Sequence, residues 1–390
     1  MRILYHHRTQ GEEPESIHID AIVQALRTLG HEVRIVGPAP LTQKPTGEQR
    51  PTLLGRIKRA APQAVFELLQ IGYNLIAFLR LRRAIKEFQP DLIYERYSLY
   101  SFAGVMLARQ RRVRFILEVN TPYAQAWARY YGLFFRRLAH AIEGRILRAA
   151  EHLITVTHVQ KQMLEQLGVP GERITVCHNA IDPDWFSPHR HVDSQLRTRL
   201  GLTGIVVGFV GTMNRWQGIL EFPAVLQQVF TQSDQVSFLF VGDGEFRGQL
   251  EQFCRTQHFE DRVVFAGRKP HSEVPALVAA MDIAVLLNSN SYGSPMKIFE
   301  YLGMGKAVIA PRVGPVTEVL DDEHTGLLID PGNGGQMAAQ ILRLTGDPAL
   351  RERLGNAGRA YVVEHHTWTA NAAAVLQAFV DMTGRPAGVP

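Results

Sequence analysis

Short apolar runs rich in valine and isoleucine recur down the chain, separated by stretches with helical periodicity. MRILYHH precedes HIDAIVQALRTLG and HEVRIVGP; later come PDLIYERYS, VRFILEVNT, HLITVTH with VQKQMLEQLG, and RITVCHNA. Runs this short, β-branched and separated by helices predict βαβ units and a parallel sheet. The second half repeats the theme in GIVVGFVGTM, SFLFVGDG, RVVFAGR, MDIAVLLN, KAVIAP and GLLIDPG. Two Rossmann-like α/β domains are expected, because 390 residues exceed the size at which a single core stops growing. The stretch IDPDWFSPHRHVDSQ, rich in proline and aspartate and without periodicity, reads as the linker near 182–195. Open parallel sheets bind ligands beyond the carboxyl ends of their strands, so two facing sheets would share one cleft that a hinge lets close.

Composition narrows the class. With 46% hydrophobic and 20% charged residues the chain is globular, and two cysteines, Cys177 and Cys254, give neither a disulfide framework nor metal-ligand spacing, which points to a reducing compartment. The opening MRILYHH turns polar too soon for a signal peptide, so a cytoplasmic location is expected. Charge is uneven. Residues 1–190 hold 26 Lys and Arg against 17 Asp and Glu, and the remainder holds 16 against 20. Much of the basic excess lies in 55–88 and 129–152, where arginines alternate with large apolar and aromatic residues. Such helices suit peripheral contact with an anionic membrane, at the inner face of the plasma membrane. Glu67, Gln70 and Asn74 interrupt the first apolar run, which argues against a span. In the competing reading Leu68, Ile71, Leu75 and Leu79 face a protein core. Nucleic acid is not an expected partner, since the basic residues sit in apolar helices and not in an exposed reader motif.

One segment carries chemistry: SYGSPMKIFEYLGMGKAVIAP, residues 291–311. Ser294 reads as an N-cap and Pro295 as the first helical residue, where a missing N–H costs nothing. The next amides, of Met296 and Lys297, would then face an anion with the helix dipole and a lysine behind them. Glu300, three residues on, would accept hydrogen bonds from two adjacent hydroxyls. Phosphate plus diol describes a nucleotide. In the other reading Lys297 and Glu300 form an ordinary surface ion pair.

The order of LGHEV, NAID..WF, FVGTM..WQG, FVGDGE, VVFAGR, SPMKIFEYLGMGK, AVIA, GP..EV and TGLLIDPG resembles the retaining, nucleotide-sugar-dependent glycosyltransferases of the GT-B fold, family 4, along nearly the full chain. The resemblance implies a nucleoside diphosphate sugar donor held by residues 183–365 and a glycan or lipid-linked acceptor held by 1–182. It also implies a terminal helix, about 366–382, that crosses back onto the first domain. Glu300 takes the ribose hydroxyls in this reading, and Ser294, Pro295 and Met296 lie on the phosphates with Tyr292 and Gly293 before them. Gly211 and Thr212 approach from the other side, while Arg268 lies where the base pocket forms. Asp243 and Glu245 read as structural.

Several positions depart from the family. Tyr292 stands where a glutamate is usual near the donor sugar, and Thr212 and Gln217 stand where an arginine and a lysine usually neutralise the diphosphate. Arg215 and Lys297 are the expected substitutes, because a leaving diphosphate without a metal needs cations as its charge develops. The one Asp-x-Asp, formed by Asp182 and Asp184, lies in the linker and is not read as a metal signature, so neither metal nor other cofactor is expected. Asn120 replaces a usual histidine. Glu118 and Asn120 are candidates for acceptor or sugar contact, with Arg8, Arg96 and His18 behind them, and only Gly11 remains of a usual Gly-Gly turn. The alternatives are an epimerase or hydrolase using His6 and His7, or a silent subunit of a polysaccharide complex.

Overall fold

A computed structural model describes residues 1–9, 13–38, 62–124, 132–191 and 193–384. The chain divides into two compact units, Met1–His178 with Trp368–Pro390, and Asn179–Thr367. The first crossing therefore lies upstream of the 182/183 boundary read from the linker. Asn179 accounts for the difference: its Nδ2 donates to the Ser294 carbonyl at 2.7 Å, and Ile181 bridges to Thr367, so the NAID stretch belongs to the second unit.

Every apolar run quoted above forms a strand. In the first unit these are β1 (Arg2–His6), β2 (Glu32–Val36), β3 (Leu92–Arg96), β4 (Arg114–Val119), β5 (His152–Thr155) and β6 (Ile174–Val176), in the all-parallel order β2-β1-β3-β4-β5-β6. Chain direction across the sheet reverses between β1 and β3, the arrangement that opens a crevice at the strand ends. The second unit holds β7 (Ile205–Val210), β8 (Val236–Val241), β9 (Val263–Gly267), β10 (Ile283–Val285), β11 (Ala307–Pro311) and β12 (Leu327–Ile329), again all parallel, in the order β12-β11-β10-β7-β8-β9. Its core is aromatic where β7 and β8 meet the helix Phe222–Gln232. Phe222 packs edge-on against Phe240 at 5.1 Å and Phe209 at 5.9 Å between ring centroids, geometry that aromatic quadrupoles favour. The terminal helix Trp368–Thr383 belongs to the first unit, where the Trp368 ring meets His18 edge-on at 4.8 Å.

Over its first half, the helix Gln63–Phe88 is built the other way round from an ordinary surface helix. It runs unbroken through Glu67, Gln70 and Asn74 and is long and apolar enough, by length and composition, to cross a membrane. Yet in its first half the buried side chains are Glu67 and Asn74, at 0% and 4% exposure, while Leu68, Leu75 and Leu79 are 55%, 69% and 58% exposed. These leucines do not face a protein core. Ile71 alone of the four turns inward. Glu67 accepts from the Tyr100 hydroxyl at 2.6 Å and from the Phe134 and Phe135 amides at 2.7 and 3.1 Å. Asn74 takes the Phe102 and Ala103 amides and donates to the Tyr100 carbonyl. Both side chains satisfy backbone groups that would otherwise be buried without partners. Residues 55–61 and 129–131 of the two basic stretches, and Gly11, lie outside the described residues.

Candidate active site

The helix Met296–Gly303 starts one residue later than the sequence suggests. Pro295 occupies the cap position with φ −78° and ψ 105°, and no side chain caps the end. Ser294 is not the cap: its Oγ and carbonyl both accept from Asn179, at 3.4 and 2.7 Å. The Ile298 amide already turns back to the Pro295 carbonyl at 3.1 Å, but the Met296 and Lys297 amides have no carbonyl inside the helix to reach. An uncapped helix start with its dipole intact binds anions. Before it, the Tyr292 and Gly293 amides donate to the Asn290 side chain, which shapes the turn into the helix.

Lys297 and Glu300 do not pair. The half-buried Lys297 ammonium donates to Gln217 Oε1 and lies 4.5 Å from the Phe209 ring centroid, a cation–π contact. It comes so close to the turn after β7 that a methyl group built on Gly211 would stand 2.3 Å from its Nζ. Gly211 also has φ +146°, where side chains other than glycine are strained. Burial pulls the lysine down from its ordinary 10.5 to about 7, against the raising influence of Glu300. Glu300 turns elsewhere, at 8% exposure, and accepts from His271 Nε2 at 2.8 Å. A carboxylate only accepts, so this ring nitrogen carries the proton.

Gly211, Gln217 and Lys297 thus meet at the end of β7, with Met296 and Glu300 on the same helix as the lysine. Thr212 and Arg215 are exposed in the loop that follows Gly211, Arg215 in the short turn Arg215–Gln217. Arg268 is exposed directly after β9, two strands from β7. Sequence reasoning overlooked His271. Nothing in the spacing of GRKPHSEVP marks this histidine, because its partner lies 29 residues away.

The candidates of the first unit meet a different fate. Glu118, 1% exposed at the end of β4, accepts from Arg96 Nη1 at 2.6 Å, Tyr94 OH at 2.7 Å, His18 Nε2 at 3.1 Å and Asn120 Nδ2 at 2.5 Å. Burial works to raise its pKa, but His18 and Arg96 outweigh it and hold the carboxyl well below the usual range. With its lone-pair positions filled, Glu118 is a buried structural node, contrary to the expected substrate contact, and Arg96 and His18 are its partners. The Asn120 carbonyl accepts from Gln160 at 2.8 Å, so this residue too serves the node. Arg8 donates to the Gln70 carbonyl at 2.8 Å over the Tyr73 ring. His6 is bound to Glu95 at 2.8 Å. His7 is fully buried, and burial together with His6 lowers its pKa to about 4. A histidine sealed from solvent and held neutral supplies no accessible acid or base, which removes the support for an epimerase or hydrolase.

Residues 16–185 match the family model of Glycosyltransferase Family 4, and residues 204–347 match that of Glycosyl transferases group 1. The chain is 30% identical over 278 residues to the lipopolysaccharide core biosynthesis glycosyltransferase LpsD of Rhizobium meliloti, covering 68% of this chain and 76% of that protein. It is 29% identical to the 2-deoxystreptamine glucosyltransferase of Streptomyces kanamyceticus, covering 59% of this chain and 61% of that protein. Among solved structures, HepE of Anabaena in complex with UDP superposes with a TM-score of 0.73 at 18% identity, over 98% of this chain and 100% of that one, a likeness of fold. Matches in both units, with two Rossmann-like sheets beneath them, make this chain a member of glycosyltransferase family 4, a nucleotide-sugar-dependent transferase of GT-B fold.

Proposed function

We propose that the end of the second sheet holds the nucleoside diphosphate of the donor. The observation that carries this reading is the uncapped start of helix Met296–Gly303, with a lysine ammonium on one side and a buried carboxylate one turn on. The Met296 and Lys297 amides take phosphate oxygens, Gly211 and Thr212 let backbone approach from across the turn, and Glu300 takes the ribose hydroxyls. Arg268 borders the base. Lys297, with Arg215 beside it, stabilises the charge that grows on the leaving diphosphate, an interaction stronger in the transition state than in the ground state.

Transfer proceeds with retention. The acceptor oxygen bonds to the anomeric carbon on the face from which the phosphate oxygen departs, and the acceptor proton passes to that oxygen. Position and electrostatics then carry the catalysis. The first unit takes the acceptor, a glycan or lipid-linked sugar of cell-surface polysaccharide or glycoconjugate synthesis, and works peripherally at the cytoplasmic face of an anionic membrane. Incubation with a panel of nucleotide sugars, with and without membrane extracts, tests the reading. Nucleotide release that requires the extract and yields a glycosylated lipid or glycan supports it. Release without acceptor, or binding without turnover under all conditions, overturns it.

A further inference from the structure

The inverted helix Gln63–Phe88 bears directly on how the chain meets a membrane. Its outward positions Val65, Leu68, Leu69, Leu75, Ile76 and Leu79 are between 43% and 69% exposed and fall at the three- and four-residue spacing of one helical face. From Val65 to Leu79 that face extends about 21 Å at 1.5 Å per residue. It then becomes cationic, with exposed Arg80, Arg82, Arg83 and Lys86 in the last turns. The other face is fixed in the fold, through Glu67 and Asn74 at one end and through Ala77, Leu81, Ile85 and Phe88 further on. Because Glu67 accepts the Phe134 and Phe135 amides, the helix Arg136–Ala149 starts beside it, bringing Phe134 and Leu138, 67% and 43% exposed, with Arg136 and Arg137.

A helix with half its circumference anchored in a domain cannot span a bilayer, yet leucines at this exposure have no reason to face water. We infer that the outward face of Gln63–Phe88 enters an anionic leaflet obliquely, its Val65–Leu79 part in the acyl boundary and its arginine end at the level of the phosphates. Six large apolar side chains followed by cations match the depth profile of such a leaflet, apolar inside and negative at its surface. This rests on the peripheral-membrane reading and deepens it from charge attraction to insertion. Attraction alone would be lost in salt, whereas an inserted apolar face holds a salt-resistant part of the binding.

Co-sedimentation of the full chain with phosphatidylcholine vesicles containing phosphatidylglycerol, at low and high salt, gives the readout. The double variant L75Q/L79Q is expected to weaken partitioning by about 100-fold, the loss from two leucines no longer transferred out of water. R82Q/R83Q is expected to weaken it mainly at low salt. A single L75W variant adds a local probe, whose fluorescence should shift to the blue and be quenched by lipids brominated along the acyl chain. Loss of binding in R82Q/R83Q with no effect of L75Q/L79Q and no quenching overturns insertion and leaves charge contact. A wild type that ignores the vesicles at low salt overturns both readings. A dimer in light scattering without vesicles, abolished by L75Q/L79Q, assigns the face to a second copy and likewise overturns the proposal. Thermal melts of both double variants check that each chain is folded.

Discussion

The Lys297 ammonium and the Gln217 amide oxygen are hydrogen-bonded across 80 residues of sequence and share the space beside Gly211. A methyl group at 211 would meet Lys297 Nζ at 2.3 Å and Gln217 Oε1 at 3.0 Å. A cation delivered from either position would therefore reach the same turn. K297M should lower kcat/KM by about 10²–10³-fold, the range for removing one preorganised stabilising group, and should leave free nucleoside affinity nearly unchanged. The exchange Q217K/K297Q should recover much of the loss, which steady-state kinetics will show. An exchange variant that folds and binds nucleoside but stays as slow as K297M would place the lysine outside the diphosphate's reach.

The same lysine predicts a pH dependence with a definite sign. Burial holds it at about 7 against an ordinary 10.5, so between these values the unfolded chain binds a proton that the folded chain does not. Stability contributed by this group therefore rises with pH across that window. Binding goes the opposite way. A diphosphate favours the ammonium, so nucleoside diphosphate affinity should fall as pH rises above about 7, with proton uptake on binding. Calorimetry in buffers of different ionisation enthalpy measures that uptake, which should vanish in K297M.

In the proposed donor site, His271 holds the Glu300 carboxylate assigned to the ribose. E300A should weaken nucleotide binding by about 1–3 kcal/mol, the scale of a lost charge-assisted hydrogen bond, and should erase the preference for ribose over 2′-deoxyribose. H271A should reduce that preference in the same direction, because the carboxylate loses the 2.8 Å contact that orients it, and H271Q, which still donates, should restore part of it. Titrations with UDP, ADP and GDP and their 2′-deoxy forms separate the roles. An unchanged preference in H271A alongside a lost one in E300A would leave His271 a packing residue.

What was legible in the sequence followed from period and local chemistry. The strands announced themselves because parallel strands are buried on both faces and read as apolar runs, as in Ile3, Leu4 and Tyr5, all fully buried. The helix at Met296 was visible through Pro295, but its cap was misplaced because Ser294 is claimed by Asn179, 115 residues away. Long-range partners leave no local mark. Glu118 looked like a strand-end functional group for the same reason: Arg96, Tyr94 and His18, which fill its oxygens, come from other elements. Gln217 reads in the sequence as a missing lysine with Lys297 as an expected substitute, but that the two are hydrogen-bonded partners, 80 residues apart, has no local mark.

The Glu118 node should behave as structure, not as a reacting group. E118A leaves Arg96, 8% exposed, buried without its counter-charge, and should cost about 3–5 kcal/mol. The depressed carboxyl adds stability that is complete above its ordinary value near 4.5 and is lost as pH falls below it. The wild type should thus lose stability steeply in acid, and a variant without the carboxyl less so. Urea titrations from pH 6 downward test both. A folded E118A with wild-type stability and no turnover would return Glu118 to the substrate.

The inverted helix Gln63–Phe88 makes the last prediction, since it reverses the usual effect of polarity. Replacing outward leucines by polar residues, as in L68Q or L75Q, removes little native packing from side chains 55% and 69% exposed, and should change stability by no more than about 0.5 kcal/mol. Replacing inward Glu67 by leucine makes the sequence look more like a core helix but strips acceptors from the Tyr100 hydroxyl and the Phe134 and Phe135 amides. Each buried donor left unpaired costs about 1–3 kcal/mol, so E67L should be among the most damaging changes in the first unit. Because those amides begin the helix Arg136–Ala149, hydrogen exchange should show the loss spreading into residues 134–138 before the rest of the unit. If E67L is neutral while L75Q unfolds the chain, the leucines are the anchored face and the helix is an ordinary one.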